Sequence, residues 1–244
     1  FRSPNETDMI AGFKSNEIDT LGGIDPENAK ELADEGATLI SAPLPRIFGL
    51  FFNQSQAKIF TDAAVRKAVN MAIDKEAIVR EVLHGYGTPT ADPIPESTNL
   101  TAPDSTVATA NIQAARTLLE KNGWKLGSDG IYQKDISKKE TLRLSFEIDT
   151  NDVPELKQAV DMIVINLRDA GIEARAKVYE TGSLNQDIIR PRKFQALFFG
   201  QVVSSQSDLF AFWHSSQRND PGLNIAGYAN PNSDKLLEQG LQTL

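Results

Sequence analysis

The 244-residue chain contains no cysteine, which excludes disulfide frameworks, thiolate metal sites and cysteine nucleophiles. It has only two histidines, His84 and His214. No H-E-x-x-H pair, aspartate-rich calcium loop, G-x-S-x-G elbow or glycine-rich phosphate loop accompanies them. The sequence therefore predicts neither a metal site nor a cofactor, and it gives little support to an enzyme.

Long apolar runs and an excess of positive charge are also missing. No apolar stretch approaches the roughly 20 residues needed to cross a bilayer, and the first ten residues are not a signal peptide. Phe1 is not a methionine and runs straight into a helical pattern, so we expect it to be an interior point of a longer chain. The formal charge of -8 argues against a nucleic-acid partner, and the composition is that of an ordinary globular protein.

Two consecutive helices are predicted after Phe60. Their apolar residues fall three to five positions apart, the spacing of a buried helix face: Val65, Val69, Ile73, Ile78 and Val82. Thr61 is the predicted N-cap of the first helix, with Asp62 in its first turn. Asp74 is the predicted N-cap of the second helix, which ends at His84-Gly85.

A strand, a long helix and a second strand are predicted between residues 141 and 178. Apolar and polar residues alternate over 142–148 and again over 172–178, which is the period of a half-buried strand. The helix between them begins with a capping-box-like pair, Asp152 and Glu155, and ends at Gly171 in the C′ position. Such a crossover joins parallel strands, so this unit predicts an α/β fold.

The remaining pattern predicts a buried strand over 47–52, a strand over 194–199 that ends at Gly200, and a proline-rich loop over 87–106. Further helices are predicted over 6–14, 26–35, 111–122 and 208–213, and a last one after Asn230-Pro231.

The segment after the 194–199 strand is the predicted binding loop. Ligands of open α/β sheets collect beyond the carboxyl ends of the strands, where loops converge. This loop offers backbone groups, an amide and hydroxyls with almost no fixed charge, although a plain connecting loop remains the alternative. Trp213 would either stack on a ligand or anchor the core, and Asn224 would make a polar contact. The predicted ligand-binding residues are Gly200, Gln201, Val202, Val203, Ser204, Ser205, Trp213, His214 and Asn224.

Several of these segments carry a recognisable order of residues. It runs through Phe52-Asn53, Phe60-Thr61-Asp62, Val65-Arg66-Lys67-Ala68, Ala72-Ile73-Asp74-Lys75 and Ile78, and then through Trp213-His214-Ser215-Ser216 and Asn224 to Pro231. This order resembles the peptide and nickel-binding family, family 5, of the extracytoplasmic solute-binding proteins of ABC importers. The resemblance spans nearly the whole chain.

The resemblance implies a type II periplasmic-binding-protein-like lobe, with a mixed, mostly parallel sheet flanked by helices. Residues 1–244 would form most of the second lobe of a two-lobed protein, truncated at both ends. Such a protein closes on an oligopeptide or related small solute and delivers it to the transmembrane subunits of an ABC permease. It would be a monomer, not an enzyme, and would work outside the cytoplasm, in the periplasm or as a cell-surface lipoprotein.

The chain departs from the family pattern at the predicted binding loop. Gln201 replaces a tryptophan, and Ser204 or Ser205 stands where an aspartate would pair with the α-amino group of a peptide. A serine cannot form that salt bridge, which leaves a peptide held by its backbone, or another solute such as an oligosaccharide. Two other classes remain: a hydrolase that uses His214 with a neighbouring serine, and a structural or assembly protein that kept the lobe without its pocket.

Overall fold

The computed structural model describes residues 5–42, 44–94, 109–203 and 206–242. The described helices are α1 (Glu6–Lys14), α2 (Pro26–Asp34), α3 (Ala63–Ala72), α4 (Lys75–Glu81), α5 (Ile112–Lys121), α6 (Pro154–Asp169), α7 (Thr181–Ser183), α8 (Gln206–Trp213) and α9 (Pro231–Gln242). The described strands are β1 (Arg46–Phe52), β2 (Lys125–Leu126), β3 (Tyr132–Ser137), β4 (Glu140–Arg143), β5 (Ser145–Asn151), β6 (Glu173–Tyr179) and β7 (Ala196–Val202). A π-helical segment, Leu184–Ile189, continues α7.

The central sheet has four strands in the order β1-β7-β5-β6. Strands β7, β5 and β6 are parallel, and β1 runs antiparallel to β7 along the sheet edge. Helix α6 connects β5 to β6, which confirms the predicted parallel crossover. The mixed, mostly parallel sheet flanked by helices is therefore as the sequence predicts.

Each face of this sheet packs against its own hydrophobic cluster. The larger cluster lies on the face of Phe146, Ile148, Ala196 and Phe198, and helices α3, α5 and α6 cover it. The smaller cluster lies on the opposite face and consists of Phe51, Leu184, Ile189, Phe194, Leu197 and Ile225, with Tyr179, Phe199 and Trp213 at its border. The sheet is thus covered on both sides over much of its area.

The start of α3 differs from the prediction. Thr61 closes a short 3-10 helix, Lys58–Thr61, and Asp62 is the N-cap, whose Oδ1 accepts the Ala64 N–H at 2.9 Å. Asp62 Oδ2 also accepts the Trp124 indole N–H at 3.1 Å and the Lys134 ammonium at 2.9 Å. Burial opposes ionisation of this carboxyl, but the hydrogen bonds outweigh it and lower the pKa of Asp62. Asp74 caps α4 as predicted, through the Ala77 N–H.

Three other boundaries were predicted wrongly. The alternating run 142–148 was predicted as one strand, but it divides at the buried residue Leu144. The residues before Leu144 belong to β4, which pairs with β3 in a small antiparallel sheet, β2-β3-β4, and those after it belong to β5 of the central sheet. Val153, with Pro154 in the first turn, takes the N-cap position of α6 that Asp152 was predicted to fill. Strand β7 starts two residues later than predicted and runs through Gly200 to Val202.

The predicted proline-rich loop is described only in part. Residues 87–94 form no regular helix or strand, and the rest of 87–106 lies outside the described residues. The Lys75 ammonium donates to the Thr90 carbonyl at 3.0 Å, which ties the loop to α4. Burial lowers the pKa of Lys75.

Replacing Gly171 by alanine should lower the free energy of unfolding by about 2–3 kcal/mol. Gly171 has a left-handed φ of 80°, and a Cβ there would lie 2.8 Å from the ring of buried Tyr132. Both backbone strain and steric overlap therefore oppose the change. Urea unfolding measures the loss.

Gly85→Ala is the matched control, because Gly85 has a similar φ of 84° with no atom near its missing Cβ. Its loss of unfolding free energy should come only from the strain of a left-handed alanine backbone, about 1 kcal/mol. Equal losses in the two variants would contradict the contact with Tyr132.

Candidate ligand-binding site

The carboxyl ends of β5, β6 and β7 meet at one edge of the central sheet. At this edge Asn151 pairs with Tyr179, and β7 continues to Gln201 and Val202. Gly200, Gln201 and Val202 were predicted as loop residues, but they belong to the strand itself and pair with β1. Loops that follow three parallel strands converge here, which is where α/β sheets place their ligands.

Gly200 and Val203 have structural partners in this arrangement. A Cβ on Gly200 would lie 2.7 Å from the Phe48 ring, so a larger residue there would require that partly exposed ring to move. Val203 is fully buried, and its N–H donates to the Pro45 carbonyl at 2.7 Å. Val202 is half exposed. Their roles as ligand contacts stay predictions, as do those of Ser204 and Ser205, which lie outside the described residues.

Gln201 is the predicted residue whose placement most favours a ligand contact. Gln201 is 8% exposed, and its amide can both donate to and accept from a polar ligand group. Gln201 lies on the same face of the sheet as Leu197 and Phe199, because side chains of a strand alternate.

Two further polar side chains on this face were missed by the sequence prediction. Asp149 and Asn151 of β5 are 4% and 7% exposed, and register places Asp149 beside Leu197 on the face of Gln201. Both lie beyond the alternating run 142–148 that the sequence predicts as a strand, whereas β5 continues to Asn151. The sequence carries no sign that a second cluster covers this face.

Asp149 lies between the smaller cluster and β6, the strand at the other edge of the sheet. On one side it is next to Leu197, and on the other side next to Lys177 of β6. Burial raises the pKa of its carboxyl, and a hydrogen bond from the Tyr179 hydroxyl and the charge of Lys177 oppose that rise. The same environment raises the pKa of the Tyr179 phenol, chiefly through burial.

Asn224 is fully buried, and its side-chain amide forms hydrogen bonds with backbone groups. Its Nδ2 donates to the carbonyls of Trp213, His214 and Tyr228, and its Oδ1 accepts the Tyr228 N–H at 3.1 Å. These contacts hold 213–228 together and favour a structural role over the predicted ligand contact. Trp213 packs against the smaller cluster, with its ring 6.1 Å from that of Tyr228.

His214 is part of a local turn. Its Nδ1 accepts the Ser216 N–H at 3.1 Å and lies 2.8 Å from Ser216 Oγ, while its ring stacks on Phe210. His214 thereby caps the 3-10 helix Ser215–Gln217. The pairing of His214 with a serine therefore has a structural cause. On the other side of the ring, Nε2 lies 3.4 Å from Glu238 Oε1 and 4.0 Å from Asp234 Oδ1, and neither contact is a hydrogen bond.

A shallow groove between α3 and α5 lies on the other face of the sheet and is lined by Met71, Asn111, Leu118 and Lys121, among others. It shares no residue with the sheet edge described above. Within the described ranges, no three His, Asp or Glu side chains are placed to hold a metal ion. No helix in those ranges is long and apolar enough to cross a membrane.

Comparison with known proteins matches residues 1–222 to a family model described as bacterial extracellular solute-binding proteins, family 5 middle. The oligopeptide-binding protein AppA of Bacillus subtilis is 32% identical over 186 residues, which are 74% of this chain and 33% of AppA. Protein XP55 of Streptomyces lividans is 28% identical over 195 residues, 76% of this chain and 33% of that protein. The chain thus spans about a third of the length of these curated relatives.

Solved structures share the fold. AppA from Bacillus subtilis in complex with a nonapeptide has a TM-score of 0.77 and 25% identity, covering 97% of this chain and 47% of AppA. An ABC transporter substrate-binding protein from Sinorhizobium meliloti has a TM-score of 0.80 and 25% identity, covering 97% of this chain and 48% of that one. These neighbours confirm the predicted type II periplasmic-binding-protein-like fold. The chain belongs to family 5 of the bacterial extracellular solute-binding proteins.

Proposed function

We propose that this chain is a ligand-binding lobe of the substrate-binding component of an ABC import system, and that the system carries oligopeptides. The observation that carries the proposal is the polar row, the buried polar side chains that β5 and β7 present on one face toward the carboxyl edge of the sheet: Asp149, Asn151 and Gln201. The oligopeptide-binding protein AppA is similar to this chain in both sequence and fold.

The proposed mechanism follows from the geometry of a one-sided site. The polar row presents donors and acceptors from one edge of one sheet, so a ligand held there keeps another side free for a facing lobe. Closure of two lobes on the ligand shifts an open-to-closed equilibrium, and the transmembrane subunits of the permease recognise the closed form. The protein would act as a monomer outside the cytoplasmic membrane, in the periplasm or as a cell-surface lipoprotein.

Peptides are favoured over nickel for a specific reason. A nickel-binding protein, NikA of Staphylococcus aureus, is 22% identical to this chain, well below the 32% of AppA. The amide and carboxyl groups of the polar row suit the N–H and C=O groups of a peptide backbone.

Titration calorimetry on the full-length protein tests this proposal. We expect a random library of three- to nine-residue peptides to bind with saturating heat, and nickel with histidine to give none. A bound peptide at 100 times its Kd should stabilise the protein by about 2.7 kcal/mol in a thermal melt.

Two other results would contradict the proposal. A protein that no peptide or other solute stabilises would be a structural or assembly protein. Turnover of generic esters or peptides that disappears in His214→Ala would instead identify a hydrolase.

A further inference from the structure

Positive charge is concentrated in one region of this acidic chain. Residues 58–72 and 111–143, which include α3, α5 and the small antiparallel sheet, contain ten Lys and Arg and five Asp and Glu. The region therefore has five surplus positive charges, whereas the whole chain has a formal charge of -8. An asymmetry of this kind indicates an anionic partner.

Side-chain contacts hold these elements together. Asp62 at the start of α3 accepts hydrogen bonds from the Trp124 indole N–H, just after α5, and from the Lys134 ammonium of β3. The Lys58 ammonium lies 3.0 Å from Glu140 Oε1 and joins the start of β4 to the residues before α3. The two helices and the small sheet therefore present their basic side chains from one connected part of the molecule.

Several lysines of this region carry an uncompensated charge. Lys58 and Lys134 each form an ion pair with a carboxylate. Five others are exposed and form no ion pair with any described residue: Lys67, Lys121, Lys125, Lys138 and Lys139. These five lysines are called the basic surface. Their charges remain available to a partner, since no nearby carboxylate neutralises them.

The side chains beside these lysines favour a membrane over a nucleic acid. Leu126 follows Lys125 and is 51% exposed, and Ile136 is 38% exposed. Binding to an anionic bilayer grows with both apolar area and lysine charge, so this combination suits a bilayer surface. The three aromatic residues of the region are at most 1% exposed and offer no platform on which bases could stack: Phe60, Trp124 and Tyr132.

The basic surface lies away from the candidate ligand-binding edge. The small sheet joins the central sheet at the amino ends of β5 and β6, where the Leu144 N–H donates to the Tyr132 carbonyl at 2.8 Å. The Tyr132 N–H in turn donates to the Gly171 carbonyl at 2.9 Å, just before β6. The polar row lies toward the opposite, carboxyl ends of the strands. A partner on the basic surface would leave that edge free.

We propose that the basic surface binds an anionic phospholipid bilayer. The five lysines supply an attraction that extends over about one Debye length, roughly 8 Å at physiological salt, and Leu126 and Ile136 contact the headgroup region. This inference goes beyond the proposed function, because it does not depend on which solute the sheet edge takes. The contact orients the lobe, so that its ligand-binding edge stays open to solvent.

Vesicle flotation with the full-length protein, prepared without lipid modification, tests the proposal. One set of vesicles contains phosphatidylcholine alone, and the other contains phosphatidylcholine mixed with phosphatidylglycerol. We expect the mixed vesicles to bind at least about tenfold more strongly at low salt. The preference should disappear at about 1 M salt, where the Debye length is about 3 Å.

Replacing Lys125, Lys138 and Lys139 together by glutamine should weaken binding to the mixed vesicles by about tenfold or more. The matched control replaces three exposed lysines outside the region by glutamine and should keep the preference: Lys157, Lys193 and Lys235. Both triple variants remove the same net charge, so a loss confined to the first locates the contact. All six side chains are exposed, and melting curves of both variants check that they fold.

Equal binding to both kinds of vesicle, or a preference that survives in the Lys125, Lys138 and Lys139 variant, would overturn the proposal. Binding of soluble polyglutamate without binding of either vesicle would also overturn it and would identify an acidic protein as the partner. Peptide calorimetry on the same variants should match the parent protein. A failure of peptide binding in all of them, parent included, would overturn only the proposed function.

Discussion

Replacing Phe60 by alanine should lower the free energy of unfolding by about 3–5 kcal/mol, the usual cost of removing a buried phenylalanine. Phe60 is completely buried, and its ring centroid lies 4.5 Å from that of Phe52 and 4.8 Å from that of Phe146. Because these rings belong to β1, to β5 and to the turn before α3, the cavity would open where three elements meet. Urea unfolding followed by circular dichroism measures the loss.

Phe48→Ala is the matched control on β1. Phe48 is 41% exposed, so its removal should cost about 1 kcal/mol or less. A loss for Phe60→Ala no larger than that of the control would show that the larger cluster does not form the stabilising core.

Replacing Asn224 by alanine should lower the free energy of unfolding by about 2–4 kcal/mol. The change leaves the carbonyls of Trp213, His214 and Tyr228 without the donor that Nδ2 supplies, at a fully buried position. Asn232→Ala on exposed α9 is the control and should stay within about 0.5 kcal/mol of the parent protein.

The same variant separates the two interpretations of Asn224. If the residue is structural, folded Asn224→Ala protein measured well below its melting temperature should bind peptide almost as tightly as the parent. An affinity loss of tenfold or more without a loss of stability would instead show that Asn224 contacts the ligand.

Much of the fold could be predicted, because local hydrophobic periodicity and helix caps determine where most helices and strands lie. Asp74, Asn111 and Gly171 occupy the predicted ends of their helices, and the crossover from β5 to β6 follows from the pattern around α6. The division between β4 and β5 could not be predicted. Leu144 continues the alternation of apolar residues, and only tertiary pairing with Tyr132 and Glu173 assigns its two sides to different sheets.

The candidate site was predicted less completely than the fold. Gln201 could be selected because it follows an apolar run at the carboxyl end of a strand. Asp149 and Asn151 could not be selected, because they lie on the face of β5 that does not contain Ile148, and polar residues on that face are also expected when it is exposed to solvent. Their burial depends on the smaller cluster, whose members Phe51, Leu184 and Ile225 come from distant parts of the chain.

The pairing of β1 with β7 has a consequence for synthesis of the protein. The two strands lie about 150 residues apart in the chain, so at 5–20 residues per second β1 waits roughly 8–30 seconds for its partner. During that time the segment 47–52, which is apolar except for one glycine, has no sheet neighbour. Such a segment is a site of intermolecular β-pairing, so a chaperone that shields it would limit aggregation of the nascent chain.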